Sequence, residues 1–252
     1  MLNRHRHEHI LIQLSSQNRV SVMDLAQALG VSDETIRRDL KDLEADGKLR
    51  RVHGGAVPIS PIQDRPITER GQKQAREKAT IARLARQQIS DETAIFLDTG
   101  TTTLGLARQL TGFANLKLYT NSVKIALEGL KHHGVSVHLT PGRLRKVEQD
   151  LVGVDAISYI QRFYFDVAFM GAAAVDQSRG IMDYEEDEAH IRQALVQNSR
   201  LRVFLVDSSK FGKTGNVRTA AFTDIDQIVT DMALPKEFDA VIAKSRVEVV
   251  YG

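Results

Sequence analysis

From about Gln72 onward, short apolar runs alternate with amphipathic stretches, and this alternation limits the fold of the larger part of the chain more than any other feature. Ala94–Leu97, Leu116–Tyr119, Val135–Leu139, Val167–Met170, Leu201–Val206 and Val247–Val250 read as short strands. Between most of them lie helical patterns, at Arg76–Ile89, Thr103–Leu110, Val123–Lys131, Asp150–Gln161 and Glu186–Gln197. A strand followed by a helix returns to the sheet parallel to its predecessor, so the pattern predicts a mostly parallel sheet with helices on both faces, an α/β body.

Three of the five prolines fall within Pro58–Pro66, a polar stretch that continues neither a helix nor a central strand. The domain boundary is placed there: a compact module over 1–57, a linker over 58–71 and the α/β body over 72–252.

Lys and Arg total 34 against 32 Asp and Glu, a net charge of +2, so any anion must be bound by a local arrangement of groups. The chain has no cysteine, which excludes disulfides, thiolate zinc sites and a cysteine nucleophile and is compatible with a reducing compartment. Met1–His9 lacks the apolar core of a signal peptide, and the longest apolar stretch, near Val167–Val175, is far short of a bilayer span. A cytoplasmic protein with no membrane partner is expected.

Within the first module, Ser21 precedes Val22, Leu25, Ala26 and Leu29, an apolar stripe on one face of a short helix, and Gly30 supplies a left-handed stop. Ser32 is placed to cap a second helix, Asp33 and Glu34 complement its dipole, Ile36, Leu40 and Leu43 form its buried row, and Gly47 ends it. Two helices joined by a glycine-containing turn make a helix-turn-helix, whose second helix enters the major groove. Lys48–Ala56 is short, basic and β-prone, the character of a wing set along the phosphate backbone or the minor groove. The residues expected at DNA are Ser32, Thr35, Arg37, Arg38 and Lys41 on the helix; on the wing they are Arg50, Arg51, His53 and Gly54. Arginine there reads guanine bidentately or holds phosphate.

Val31–Leu40, followed by Leu43-Glu44, Gly47-Lys48-Leu49 and Arg51–Ala56, resembles the N-terminal signature of the DeoR-type bacterial transcriptional regulators. The resemblance implies a winged-helix reader, usually a repressor of sugar or related catabolic genes, with Thr35, Arg37 and Arg38 facing operator DNA.

In the body, the strand Ala94–Leu97 runs into Asp98-Thr99-Gly100-Thr101-Thr102-Thr103 and then a helix. Backbone N–H groups and the dipole at a helix start attract phosphate, and threonine hydroxyls add donors. The loop is neither a P-loop, which needs lysine and a hydroxyl after its last glycine, nor the three-glycine dinucleotide fingerprint, so ATP and NAD are disfavoured and no cofactor is expected. Thr120-Asn121-Ser122, Thr140-Pro141-Gly142, Gly171–Ala174 and Asp207–Gly212 also follow strands, where open α/β sheets bind small polar ligands.

The resemblance to DeoR-type regulators extends over essentially the whole chain, through Asp98–Thr102, Thr120–Ser122 and Val206–Gly212, to a Rossmann-like sensor domain similar to ribose-5-phosphate isomerase. It implies a phosphorylated sugar or sugar derivative as effector. On that analogy Thr99, Gly100, Thr101, Thr102 and Lys210 hold the phosphate, Asp98, Asn121 and Glu188 face the hydroxyls or carbonyl, and Gly171 lines the same mouth. Two departures stand out: Pro141-Gly142-Arg143 where two glycines are frequent, and Arg192 where lysine is common. Because one winged helix covers little DNA, a homo-oligomer, dimer or tetramer, is expected. The rival reading is a sugar-phosphate isomerase or deaminase with an accessory DNA-binding domain, using Asp98, Asp207 and Glu188.

Three weaker signals are read as structural. His5, His7 and His9 lack partners to complete a metal site, since His7 points away from the other two on a helix. Asp183, Glu185, Glu186, Asp187 and Glu188 satisfy a helix dipole. Lys73, Arg76, Lys78, Arg83 and Arg86 form the solvent face of a helix.

Overall fold

Ser21 and Ser32 each start a helix. In the computed structural model, which describes residues 3–17, 20–46, 48–52, 54–58 and 74–252, the Ser21 hydroxyl accepts the Asp24 N–H at 3.0 Å and the Ser32 hydroxyl accepts the Thr35 N–H at 3.3 Å. The chain divides into two compact units, residues 1–64 and 65–252. In the first unit the order is α1 (Asn3–Gln17), β1 (Val20–Ser21), α2 (Val22–Leu29), α3 (Asp33–Ala45), β2 (Leu49–Val52) and β3 (Gly55–Pro58). Gly30 ends α2 in the left-handed region, as expected. Ile36, Leu40 and Leu43 of α3 are buried against Leu25 of α2 and against Ile10 and Leu14 of α1, a helix that the sequence reading invokes only for the His5–His9 spacing and does not place in this core. Gly47, expected to end α3, and His53 lie outside the described residues.

The wing is a three-stranded sheet in the order β1-β3-β2, with β3 antiparallel to both neighbours. Gly55 is obligatory in it, because a Cβ there would sit 2.0 Å from the Val20 carbonyl oxygen. Pro58, read as the first linker residue, instead closes β3 opposite Leu49; β1 reaches only Gly55 and Ala56, so the proline lies past the doubly paired part of the strand.

The second unit runs α4 (Ala75–Arg86), β4 (Ala94–Leu97), α5 (Thr101–Ala107), β5 (Leu116–Thr120), α6 (Val123–Gly129), β6 (Val135–Leu139), β7 (Arg143–Leu144), β8 (Leu151–Val152), α7 (Val154–Ile160), β9 (Phe165–Gly171), β10 (Ala174–Asp176), β11 (Gly180–Asp183), α8 (Glu186–Gln197), β12 (Ser199–Leu205), β13 (Val217–Ala220), β14 (Gln227–Thr230), α9 (Asp239–Ser245) and β15 (Glu248–Tyr251). Seven strands form one all-parallel sheet in the order β15-β14-β12-β9-β4-β5-β6. The alternation of side chains along each strand feeds two cores. Ile95, Leu97, Val167 and Phe169 pack with α4, α5 and α6 on one face; Phe96, Ala168, Met170 and Phe204 pack with α7 and α8 on the other. A small antiparallel sheet, β10-β11-β13, and the β7–β8 hairpin stand apart from the main sheet.

Two expectations for this unit are corrected. The helix predicted over Asp150–Gln161 begins only at Val154, because Asp150 bridges to Ser122 and Leu151–Val152 pairs with β7, leaving Gly153 (φ 99°) as the turn into the helix. The basic row on α4 is not a uniform solvent face: Lys78 is buried, and Arg86 donates to the carbonyls of Gln109 and Thr111 just after α5 and lies 4.7 Å from the Phe113 ring centre. Lys73 lies outside the described residues.

Candidate DNA-reading surface and ligand crevice

On α3, Arg37, Arg38 and Lys41 are exposed while Thr35 is half-buried, its hydroxyl 2.9 Å from that of Ser32. The Arg37 guanidinium is 3.8 Å from Asp33 and 3.7 Å from Glu34, long exposed pairs that hold it only weakly. Arg51 of the wing is committed differently: its Nε and backbone N–H donate to the two Glu44 carboxylate oxygens at 2.7 and 2.8 Å, fastening β2 to α3 and holding the Glu44 carboxyl below its usual range. Gly54 is exposed at the tip of the wing. Arg50 lies on β2, with its side chain outside the described set.

The main sheet reverses its direction of growth between β4 and β9, since β5 and β6 extend one side and β9, β12, β14 and β15 the other. At such a switch point the loops beyond the two central strands part and leave a crevice at the carboxyl ends. Asp98 follows β4 and Gly171 ends β9, and the Gly171 N–H lies 3.4 Å from Asp98 Oδ2 across the switch. Gly100 adopts φ 156° and starts α5; a Cβ on it would lie 3.1 Å from the Thr103 hydroxyl. Thr99 and Thr102 are buried and Thr101 half-buried beside it. Asn121, beyond β5, accepts the Thr99 N–H at 3.0 Å. Lys210 closes a short turn, Ser208–Lys210, whose start is fixed by Asp207 accepting the Ser209 N–H at 3.2 Å.

Asp98 and Glu188, read as facing the effector, are already engaged. Arg192 is buried on α8 and donates to Asp98 at 2.6 Å and to Asp183, and its third nitrogen is 3.1 Å from Glu188. Arg145, on the β7–β8 hairpin, pairs with Asp150 at 2.7 Å and with Glu188 at 2.8 Å, and Thr219 donates to Asp183 at 2.5 Å. Burial pushes the Asp98 carboxyl up to about 7; Arg192 opposes this, and neighbouring Glu188 and Asp183 reinforce it. Three buried polar atoms here have no hydrogen-bond partner: Asp98 Oδ1, Thr99 Oγ1 and, beyond β6, Thr140 Oγ1.

Arg145, Asp150, Asp183 and the unpartnered Thr140 hydroxyl escaped the site list drawn from the sequence. Asp183 stood in a visible acidic run, but nothing local marks Arg145 and Asp150 as buried partners. The acidic run belongs to this network: Asp183 and Glu188 hold Arg192, and Asp187 pairs with Arg143 at 2.6 Å. Among the described residues no group of His, Asp and Glu is arranged to hold a metal, and His7 lies 3.3 Å from Asp39. A cavity of about 590 Å³, lined by Tyr164, Gln193, Ser199, Arg200 and Thr219 among others, opens near the amino ends of β9 and β12, at the opposite end of the strands from the crevice.

Residues 6–61 match the DeoR-like helix-turn-helix domain and residues 73–232 the DeoR C terminal sensor domain. The chain belongs to the DeoR family. This DeoR-family chain is 34% identical over 253 residues to the HTH-type transcriptional regulator GlpR of Haloferax volcanii, covering 100% of this chain and 99% of that one. It is 30% identical over 230 residues to the glycerol-3-phosphate regulon repressor of Escherichia coli strain K12, covering 91% of each. Its curated relatives are transcriptional regulators, so the DeoR-family chain is a regulator and not the isomerase or deaminase of the rival reading. Among solved structures it is similar to ribose 5-phosphate isomerase A of Methanocaldococcus jannaschii, with TM-score 0.40 and 17% identity over 55% of each chain. Among the described residues no helix is long and apolar enough to cross a membrane.

Proposed function

We propose that this DeoR-family chain is a repressor that reads operator DNA with α3 and the β2–β3 wing and is controlled by a phosphorylated sugar or related polyol bound at the carboxyl ends of β4, β5, β6 and β9. The observation that carries the effector site is the set of unpartnered buried atoms after the strands' carboxyl ends, Asp98 Oδ1 and the Thr99 hydroxyl at the switch point and the Thr140 hydroxyl beyond β6, since such atoms are costly to leave unpaired unless a ligand or water pairs them. Thr99 to Thr102 and Lys210 supply the donors and charge for the phosphate. Asn121 and Gly171 frame the rest of the molecule. The phosphorylated compound in the name of the E. coli relative is of this chemical class.

Control follows from linkage: an effector that binds one arrangement of the two units better than the other shifts the operator equilibrium, by about 1–3 kcal/mol in typical cases, and DNA and effector then oppose each other reciprocally. Two copies of the winged helix, on a dimer or tetramer, place contacts on two half-sites about one helical turn apart. With Pro58 in β3, the linker is read over 59–71, outside the described residues, so a fragment from residue 72 onward is expected to fold and bind effector.

The test is a titration of labelled DNA from upstream of the protein's own gene, at fixed salt, with and without a panel of sugar phosphates. Nanomolar, competitor-resistant binding reversed by one compound supports the reading. Weak, salt-sensitive binding indifferent to every compound overturns it.

A further inference from the structure

We propose, resting on the reading of the crevice as the effector site, that the end of the effector remote from its phosphate is an uncharged, hydroxyl-bearing carbon chain, so that phosphorylated polyols and neutral sugars are taken and phosphorylated sugar acids refused. The first argument is charge. Four carboxylates, Asp98, Asp150, Asp183 and Glu188, share two guanidiniums, Arg145 and Arg192. The cluster therefore carries an excess of two negative charges, or of one when Asp98 is protonated. Both arginines already hold two or more of these carboxylates, and at the rim Arg143 is taken by Asp187. Lys210 is assigned to the phosphate. A ligand carboxylate entering beside Asp98 would meet like charge in a water-poor setting, where repulsion is strongest.

The second argument is what the crevice leaves unmade. Its unpartnered groups are two threonine hydroxyls and one carboxyl oxygen, and each is matched by a ligand hydroxyl, which both donates and accepts. Thr99 and Thr140 stand beyond β4 and β6, on either side of β5 with its Asn121, so they grip a chain of several carbons at two points. Thr140 thereby becomes a specificity residue. The third argument concerns Arg192. A lysine at such a position can form an imine with an open-chain carbonyl, whereas a guanidinium stays protonated, and this one is held by three carboxylates. A carbonyl thus gains nothing over a hydroxyl, and alditol phosphates are accepted as well as the sugars.

The experiment measures binding to the full-length protein by calorimetry at neutral pH, using matched pairs that differ only in CH₂OH against COO⁻: glycerol 3-phosphate with 3-phosphoglycerate, erythritol 4-phosphate with 4-phosphoerythronate, and glucitol 6-phosphate with 6-phosphogluconate. In the pair that binds, the alcohol is expected to bind at least about tenfold tighter than the acid, a difference of about 1.4 kcal/mol. Thr140→Val should weaken the alcohol by about tenfold without lowering Tm or operator affinity, because it removes a hydroxyl that has no partner in the unliganded protein. Glu188→Gln, which removes one negative charge, should narrow the alcohol-to-acid ratio. An acid that binds as tightly as its alcohol, or an alcohol indifferent to Thr140→Val, overturns the proposal while leaving the effector site standing. If no member of any pair binds and no sugar phosphate in the operator titration releases DNA, the effector reading itself falls, and this proposal with it.

Discussion

The carboxylate of Asp39, buried on α3, receives both Nε and a terminal nitrogen of Arg6 on α1, at 2.7 and 2.9 Å. A fork-to-fork pair of this kind fixes direction as well as distance, and it joins the first helix of the chain to the helix that carries Arg37 and Arg38. Asp39→Ala removes both of these hydrogen bonds and their buried acceptor. We expect the N-terminal unit to lose about 2 kcal/mol of stability, seen as an earlier urea or thermal transition, with effector binding unchanged. A transition that does not move would remove the pair from the support of α3.

Arg37→Ala should weaken operator binding by about tenfold or more and leave effector affinity intact. The dependence of affinity on salt separates its two possible contacts. A phosphate contact lowers the slope of log K against log salt by about one, whereas a base contact relaxes sequence preference at one position. Loss of effector response with full DNA affinity would contradict the assignment.

Lys210→Ala is the complementary variant. It should keep the operator complex and lose its release by the effector, read in the same titration. Unchanged release would take Lys210 out of the phosphate site.

Asp98 makes the stability of the C-terminal unit depend on pH. Its carboxyl sits at about 7 in the folded protein against about 3.9 unfolded, so the folded state keeps a proton that the unfolded state gives up. The contribution of this group therefore favours folding most below about pH 4, falls as pH rises from about 4 to 7, and is flat above. Asp98→Asn should remove that decline between pH 4 and 7, measured by denaturant unfolding across the range; a variant with the same slope as the parent would place the titrating group elsewhere.

What could be read from the sequence was local. Ser21, Gly30 and Ser32 act within four residues of themselves, and six of the seven strands are short, mostly apolar runs, so the winged helix and most of the parallel sheet were visible; β14, Gln227–Thr230, has too few apolar residues to stand out. The misses are long-range or masked by polarity. α1 begins Asn-Arg-His-Arg-His-Glu-His, which shows little apolar stripe, and Asp39 reads as one more exposed acid until Arg6 arrives from 33 residues away. Lys78 falls on what looked like a solvent face, and Asp150–Val152 fits a helix until Ser122 and Arg143–Leu144 pair with it. At the crevice the strand-following loops were correctly located, but the network among Arg145, Asp150, Asp183, Glu188 and Arg192 is a product of tertiary packing.

The contact between Asp98 and the Gly171 N–H spans 73 residues, and this separation sets an order of assembly. The Arg6–Asp39 clasp and the wing need only the residues up to Pro58, all made before the crevice has any of its strands. The crevice waits for β9 to slot beside β4 and for α8 to bring Arg192 to Asp98. A chain cut short before β9 would retain every residue proposed to read DNA and lack the proposed effector site, so premature termination here is expected to yield a deaf regulator instead of a silent one.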